Sequence, residues 1–132
     1  YRDPRGRGLT DNGWEVVPGA LLPLLREAAS SGKPLLVTEN GLADAADAKR
    51  VAFLEEHVAV LAEAEEEGLP VHGYLHWSLV DNFEWLDGWE PRFGLLELDR
   101  ETLARRPRPS SEAFRGLAAA YLARSRAISA GR

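Results

Sequence analysis

The apolar positions of the chain change period several times, and each change marks an element. From Pro18 the pattern is helical: Leu21, Leu22, Leu24, Leu25 and Ala28 gather on one side, and Ser30-Ser31-Gly32-Lys33-Pro34 stops the run. Pro23 lies inside this stretch, so an irregular first turn is expected. Leu35-Leu36-Val37-Thr38 is a short apolar run without alternation, followed by Asn40-Gly41, and it reads as a strand buried on both faces, as in a parallel sheet. A second helix places Val51, Leu54, Val58, Leu61 and Ala62 on one stripe, with Glu55, Glu56, Glu63, Glu66 and Glu67 elsewhere, until Gly68-Leu69-Pro70 ends it. A strand is expected at about 71–78, an aperiodic stretch at 79–93, a small strand at 96–99 and a last helix at 111–127 capped by Ser110 or Ser111. Helix, strand, helix, strand, helix predicts an α/β protein with parallel strands joined by crossovers.

Composition narrows the chemistry. The chain has 132 residues, 45% of them apolar, enough for one domain that buries about two-thirds of its unfolded surface. With no Cys, a disulfide framework, a thiolate zinc site and a thiol nucleophile drop out. No segment reads as a bilayer span or a signal peptide, so no membrane partner is expected. The net charge of −5 is uneven, about −11 before residue 100 and +6 from there on. The late arginines are dispersed through an Ala-rich helical pattern without interleaved aromatics, which reads as a solvated face rather than a nucleic-acid surface. The chain begins at Tyr1 and contains no Met, which raises the expectation of a processed product or a piece of something longer.

Ligands of parallel α/β architectures bind at the carboxyl ends of the strands, and two segments lie there. In Thr38-Glu39-Asn40-Gly41 a carboxylate leaves a buried apolar strand, either into a cleft where it is hydrogen-bonded or used, or into solvent as an ordinary loop Glu. In Trp77-Ser78-Leu79-Val80-Asp81-Asn82-Phe83-Glu84-Trp85 and on to Phe93, indoles alternate with carboxylates and amides. A sugar ring offers C–H groups that stack on an indole and hydroxyls that carboxylates bind. The other reading of that segment is a Trp-rich plug closing the end of a barrel.

These segments, with Gly88, Arg92-Phe93-Gly94-Leu95 and the earlier Gly13-Trp14-Glu15-Val16, resemble in order and spacing the C-terminal part of a family 1 glycoside hydrolase, the β-glucosidase family. The resemblance covers the chain from about Gly13 to the final helix. It implies a (β/α)₈ TIM barrel of which residues 1–132 form a C-terminal fragment, with 35–39 as the seventh strand and 73–78 as the eighth. Such a barrel needs about 250 residues or more. It also implies a retaining mechanism with two carboxylates about 5–5.5 Å apart. Residue by residue, it makes Glu39 the nucleophile and Asn40 its neighbour in the site. Glu84 becomes an acceptor for two sugar hydroxyls, Trp85 a donor, Trp77 the floor under the ring, and Phe93 a lining residue. The expected substrate is a β-glycoside or oligosaccharide, with no cofactor and a cytoplasmic location, any leader lying upstream.

Two positions depart from the family pattern, His76 where a small residue is common and Trp89 where Tyr is frequent; both bear on substrate preference. A third departure concerns the reaction itself. The family's acid/base sits in a Thr-x-Asn-Glu-Pro motif on the fourth strand, and no such motif occurs in the chain. The missing N-terminal barrel portion is therefore an expected partner, and the chain alone is expected to be inactive; the alternative is a non-catalytic sugar-binding or regulatory fragment. The histidines do not suggest a metal site: His72 and His76 would lie about 13 Å apart on an extended strand, and no Cys or Asp cluster completes a shell.

Overall fold

The computed structural model describes residues 8–130, with side chains described as far as Arg124. A 3-10 turn at Pro18–Ala20 leads into α1 (Leu21–Ala29), followed by β1 (Leu35–Asn40), α2 (Arg50–Glu66), β2 (Val71–His76), a 3-10 turn at Trp85–Asp87, β3 (Leu96–Leu98), β4 (Arg105–Pro107) and α3 (Pro109–Ala130). The irregular entry to α1 is as the proline pattern predicts. Ser30-Ser31-Gly32 ends the helix, with Gly32 at φ 67°, the left-handed conformation glycine adopts at least cost.

β1 and β2 pair in parallel, with Leu35 opposite Val71, Leu36 opposite Gly73, Val37 opposite Tyr74 and Asn40 opposite His76. One face of this pair is covered: Leu22 and Leu25 of α1, Val60, Leu61 and Ala64 of α2, and Val71 form the main core, with Leu35, Val37 and Tyr74 packed against it. The expectation of burial on both faces is not met, because Leu36 and Leu75 are 53% and 54% exposed. Among the described residues, the two strands have no third neighbour. A groove of about 390 Å³ beside β2 is lined by Leu36 and Leu75 of the strands and by Phe114 and Leu122 of α3, among others.

The buried face of α2 also differs from the expected stripe. Leu54 and Leu61 are shared, but the face is completed by Arg50, Phe53, His57, Val60 and Ala64 rather than by Val51, Val58 and Ala62. Apolar periodicity missed this rotation because two of the buried residues are polar and bond to groups inside the fold. His57 Nδ1 lies 2.8 Å from the Phe53 carbonyl, with its ring stacked on Phe53 at 3.9 Å. Arg50 is fully buried, donates to the carbonyls of Asp44 and Arg92 at 2.7 Å each, and pairs with Asp47. Burial lowers its pKa, and Asp47 opposes the shift.

β3 matches the expected small strand, but β4, its antiparallel partner, had no apolar signature: it is Arg105-Arg106-Pro107, exposed throughout. The hairpin is specified by its turn instead, where the Asp99 carboxylate accepts from the N–H groups of Glu101 and Thr102 at 3.0 Å. The expected cap of the last helix is also corrected. Pro109 takes the first position, and Asp47 of the β1–α2 loop accepts from the Ser110 N–H at 2.8 Å.

Candidate functional site at the strand ends

The carboxyl ends of β1 and β2 are joined by the backbone. The Trp77 N–H donates to the Asn40 carbonyl at 3.0 Å, one step beyond the Asn40–His76 pairing. The Tyr74 hydroxyl donates to Asn40 Oδ1 at 2.9 Å and lies 3.1 Å from its carbonyl oxygen, fixing the Asn40 side chain. The chains then approach so closely that a Cβ on Gly41 would lie 1.6 Å from the Trp77 carbonyl oxygen. Glu39, the last residue before this junction, is exposed at the mouth of the strand pair.

Under this end sits His76, 3.3 Å from the Tyr74 hydroxyl and close to the rings of Phe53 and Phe114. Burial first, then the Arg50 cation, lowers its pKa to about 4, although a hydrogen bond with the Asn40 backbone favours the charged ring. Burial likewise raises the Tyr74 phenol above its ordinary value. A depressed folded-state histidine pKa means that the unfolded chain takes up the proton first as pH falls. Its contribution is complete above about 6.5 and is lost as pH falls toward 4. Denaturant titrations should therefore show stability falling on the order of 1–3 kcal/mol between these limits. A His76→Phe variant should show a flatter profile there; a wild-type stability unchanged from pH 7 to 4.5 would contradict the assignment.

Beyond Trp77, whose peptide bond to Ser78 is cis, the chain makes a polar arch. Trp77 Nε1–H donates to Glu84 Oε1 at 3.1 Å, and Asn82 Nδ2 donates to the same oxygen at 2.6 Å. Among the described residues, both side-chain hydrogen bonds to Glu84 fall on Oε1. The Ser78 hydroxyl lies 3.0 Å from Asn82 Oδ1 and 2.8 Å from the Val80 carbonyl, holding Asn82 in turn. The Glu84 N–H donates to the Gly88 carbonyl at 2.7 Å and closes the arch.

Glu39, Asn40, Trp77 and Glu84 are thus brought to one end of the strand pair, the first two by β1 and the last two through the Trp77–Glu84 bond. Trp85 is not packed with them: it sits at φ 50° and is 86% exposed. Phe93 is only 3% exposed, with its ring 6.0 Å from that of Trp14. Asp81 and Arg108 were missed as supporting residues because each reads as one more charge. The signal that could have found Arg108 is its frame, Pro107-Arg108-Pro109, which fixes the backbone on both sides of one cation. The side chain enters the fold and is 10% exposed, unlike the solvated arginines around it.

With this geometry in view, comparison with known proteins is decisive. The family model for glycosyl hydrolase family 1 matches residues 4–121. The chain belongs to glycosyl hydrolase family 1. Among family 1 relatives, the β-galactosidase of Pyrococcus woesei is 43% identical over 105 residues, covering 80% of this chain and 21% of the relative. A bifunctional β-D-glucosidase/β-D-fucosidase of Bifidobacterium breve is 38% identical over 130 residues, covering 87% and 28%. The crystal structure of the β-glycosidase from Thermosphaera aggregans matches with a TM-score of 0.84 at 46% identity, over 90% of this chain and 25% of that one. The chain thus spans between a fifth and three tenths of the length of these proteins.

Proposed function

We propose that this chain is the C-terminal part of a retaining β-glycosidase, with β1 and β2 as the seventh and eighth strands of a (β/α)₈ barrel and Glu39 as nucleophile. The observation that carries this reading is the single constellation at the strand ends, where Asn40, next to Glu39, accepts from the Trp77 N–H and the Trp77 indole in turn donates to Glu84.

In this mechanism the Glu39 carboxylate attacks the anomeric carbon and forms a glycosyl ester while an upstream carboxylic acid protonates the departing oxygen. The same upstream group then takes a proton from water, whose oxygen attacks the anomeric carbon and releases Glu39. Glu84 accepts from sugar hydroxyls through Oε2 while Trp77 and Asn82 hold Oε1, and the Trp77 ring lies under the sugar. Asn40, fixed by Tyr74, shapes the surroundings of Glu39. Trp85 donates its indole N–H to the sugar, and Phe93 backs the pocket. The substrate is a β-glycoside or oligosaccharide, and the acid/base belongs to the rest of the barrel, so the chain alone does not turn over.

The test is a chimera of this chain with the upstream part of the Thermosphaera aggregans β-glycosidase, assayed on an aryl β-glucoside. Turnover is expected from the chimera and from neither part alone. Hydrolysis by the isolated chain would overturn the assignment of the acid/base to another segment. Sugar binding by an inactive chimera would instead favour a non-catalytic sugar-binding fragment.

A further inference from the structure

The arch that presents Glu84 is held from behind by one buried carboxylate. Asp81, whose side chain is wholly inaccessible, receives Arg108 through two nitrogens, Nη1 to Oδ1 at 3.0 Å and Nη2 to Oδ2 at 2.9 Å. It also accepts from the Gly94 N–H at 2.9 Å and, more weakly, from the Leu98 N–H at 3.4 Å, with Arg92 at 3.7 Å. Burial pushes the Asp81 carboxyl up, but the Arg108 guanidinium and these amides more than offset that and hold it below the usual carboxylate range. Arg108 Nη1 donates as well to the Gly94 carbonyl at 2.6 Å, and its N–H to the Leu95 carbonyl at 2.9 Å. Gly94 lets its backbone approach that of Asp81 closely: a Cβ there would lie 2.3 Å from the Asp81 nitrogen.

Asp81 is followed directly by Asn82, the residue that donates to Glu84. A planar guanidinium on both oxygens of a carboxylate fixes direction as well as distance. The backbone leaving Asp81 therefore has its orientation set by a residue 27 positions away.

We infer that Arg108 and Asp81 are positioning residues that aim Glu84 at the sugar: the buried pair orients Asn82, and Asn82 with Trp77 fixes Glu84 Oε1 so that Oε2 faces the ligand. This rests on the reading of Glu84 as a sugar-binding residue. It assigns a role at the site to the segment preceding α3, which never reaches the ligand itself. A carboxylate free to rotate would lose discrimination among hydroxyls; one held by two donors on a clamped arch keeps it.

Two measurements separate this inference from the functional reading. In the 132-residue chain, the indole N–H resonance of Trp77 reports its bond to Glu84, and Glu84→Gln gives the reference position for a weakened bond. Asp81→Asn and Arg108→Gln should each move that resonance toward the reference while amide signals of α1, α2 and β1 stay in place. An unmoved indole in folded Arg108→Gln overturns the proposal. If Arg108→Gln does not fold, Arg108→Lys, which keeps the charge without the fork, is read in the same way, and an unmoved indole again overturns it.

In the chimera, kcat/KM is compared for an aryl β-glucoside and its monodeoxy analogues. Arg108→Gln should lower it about tenfold on the parent sugar and less than about twofold on the analogue lacking the hydroxyl that Glu84 accepts. A merely structural role would lower both equally and would overturn the inference. A wild-type chimera without turnover would count against the glycosidase reading alone, since the indole measurement still decides the positioning.

Discussion

Replacing Glu39 by Gln in the chimera should reduce turnover of an aryl β-glucoside by about 10⁴-fold or more, equivalent to about 5 kcal/mol of barrier. The amide is nearly isosteric, and Glu39 is exposed at the end of β1, so the fold should be untouched and the melting temperature nearly unchanged. On the proposed mechanism, what is lost is the negative oxygen that bonds to the anomeric carbon. Glu39→Ala supplies a sharper version. With added azide, a retaining site that lacks its own nucleophile should release the glycosyl azide of inverted configuration, because only one displacement then occurs at the anomeric carbon. Steady-state kinetics and product configuration by NMR check the two statements; undiminished turnover by Glu39→Gln sinks the nucleophile assignment.

A second large effect is expected from a single methyl group. Gly41→Ala puts a Cβ where the Trp77 carbonyl oxygen stands, 1.6 Å away, and the obstructing atoms are backbone, with the Trp77 carbonyl carbon at 2.7 Å. No rotamer change relieves such a contact. One strand end must shift, breaking the Trp77 N–H to Asn40 carbonyl bond and the pairing beside it. The cost should exceed the usual range for overpacking, at about 3 kcal/mol or more. Gly19→Ala, whose Cβ meets nothing within 4 Å, serves as control. Denaturant midpoints of the two variants decide it, and a Gly41→Ala protein as stable as the control would refute the close approach.

The order of elements as far as β3 and the start of both strands were legible in the sequence because they depend on local signals: the stop at Gly32, the unbroken run 35–37, and Gly68-Leu69-Pro70 after α2, although β2 ends at His76 rather than near residue 78. The motifs in 38–41 and 77–85 were legible for the same reason, being contiguous. What was not legible depends on partners far along the chain. The buried face of α2 is turned by Arg50, which reads as a surface residue until the carbonyls of Asp44 and Arg92 surround it. The cap on α3 comes from Asp47, 63 positions before Ser110, so no inspection of the helix's own start finds it. β4 has no apolar face to announce it and exists because the Asp99 turn returns the chain beside β3. The exposure of Leu36 and Leu75 follows from which strands are present, a property no local pattern contains.

The pairing of Asn40 with His76 has a consequence for how the candidate site tolerates error. Between Val37 and Asn40 the strand β1 carries one more residue than β2 does between Tyr74 and His76, so Glu39 lies in a bulge, and a one-residue slip there would bring Asn40 to its place at the mouth. Nothing in the side chain of Glu39 guards against this. The protection comes from two backbone features, the Trp77 amide on the Asn40 carbonyl and the glycine at 41 that no other residue can replace at that spacing. The Glu39 carboxylate is therefore addressed by hydrogen-bond register, and mutations that loosen the ladder should turn it away from the strand mouth before they unfold the protein.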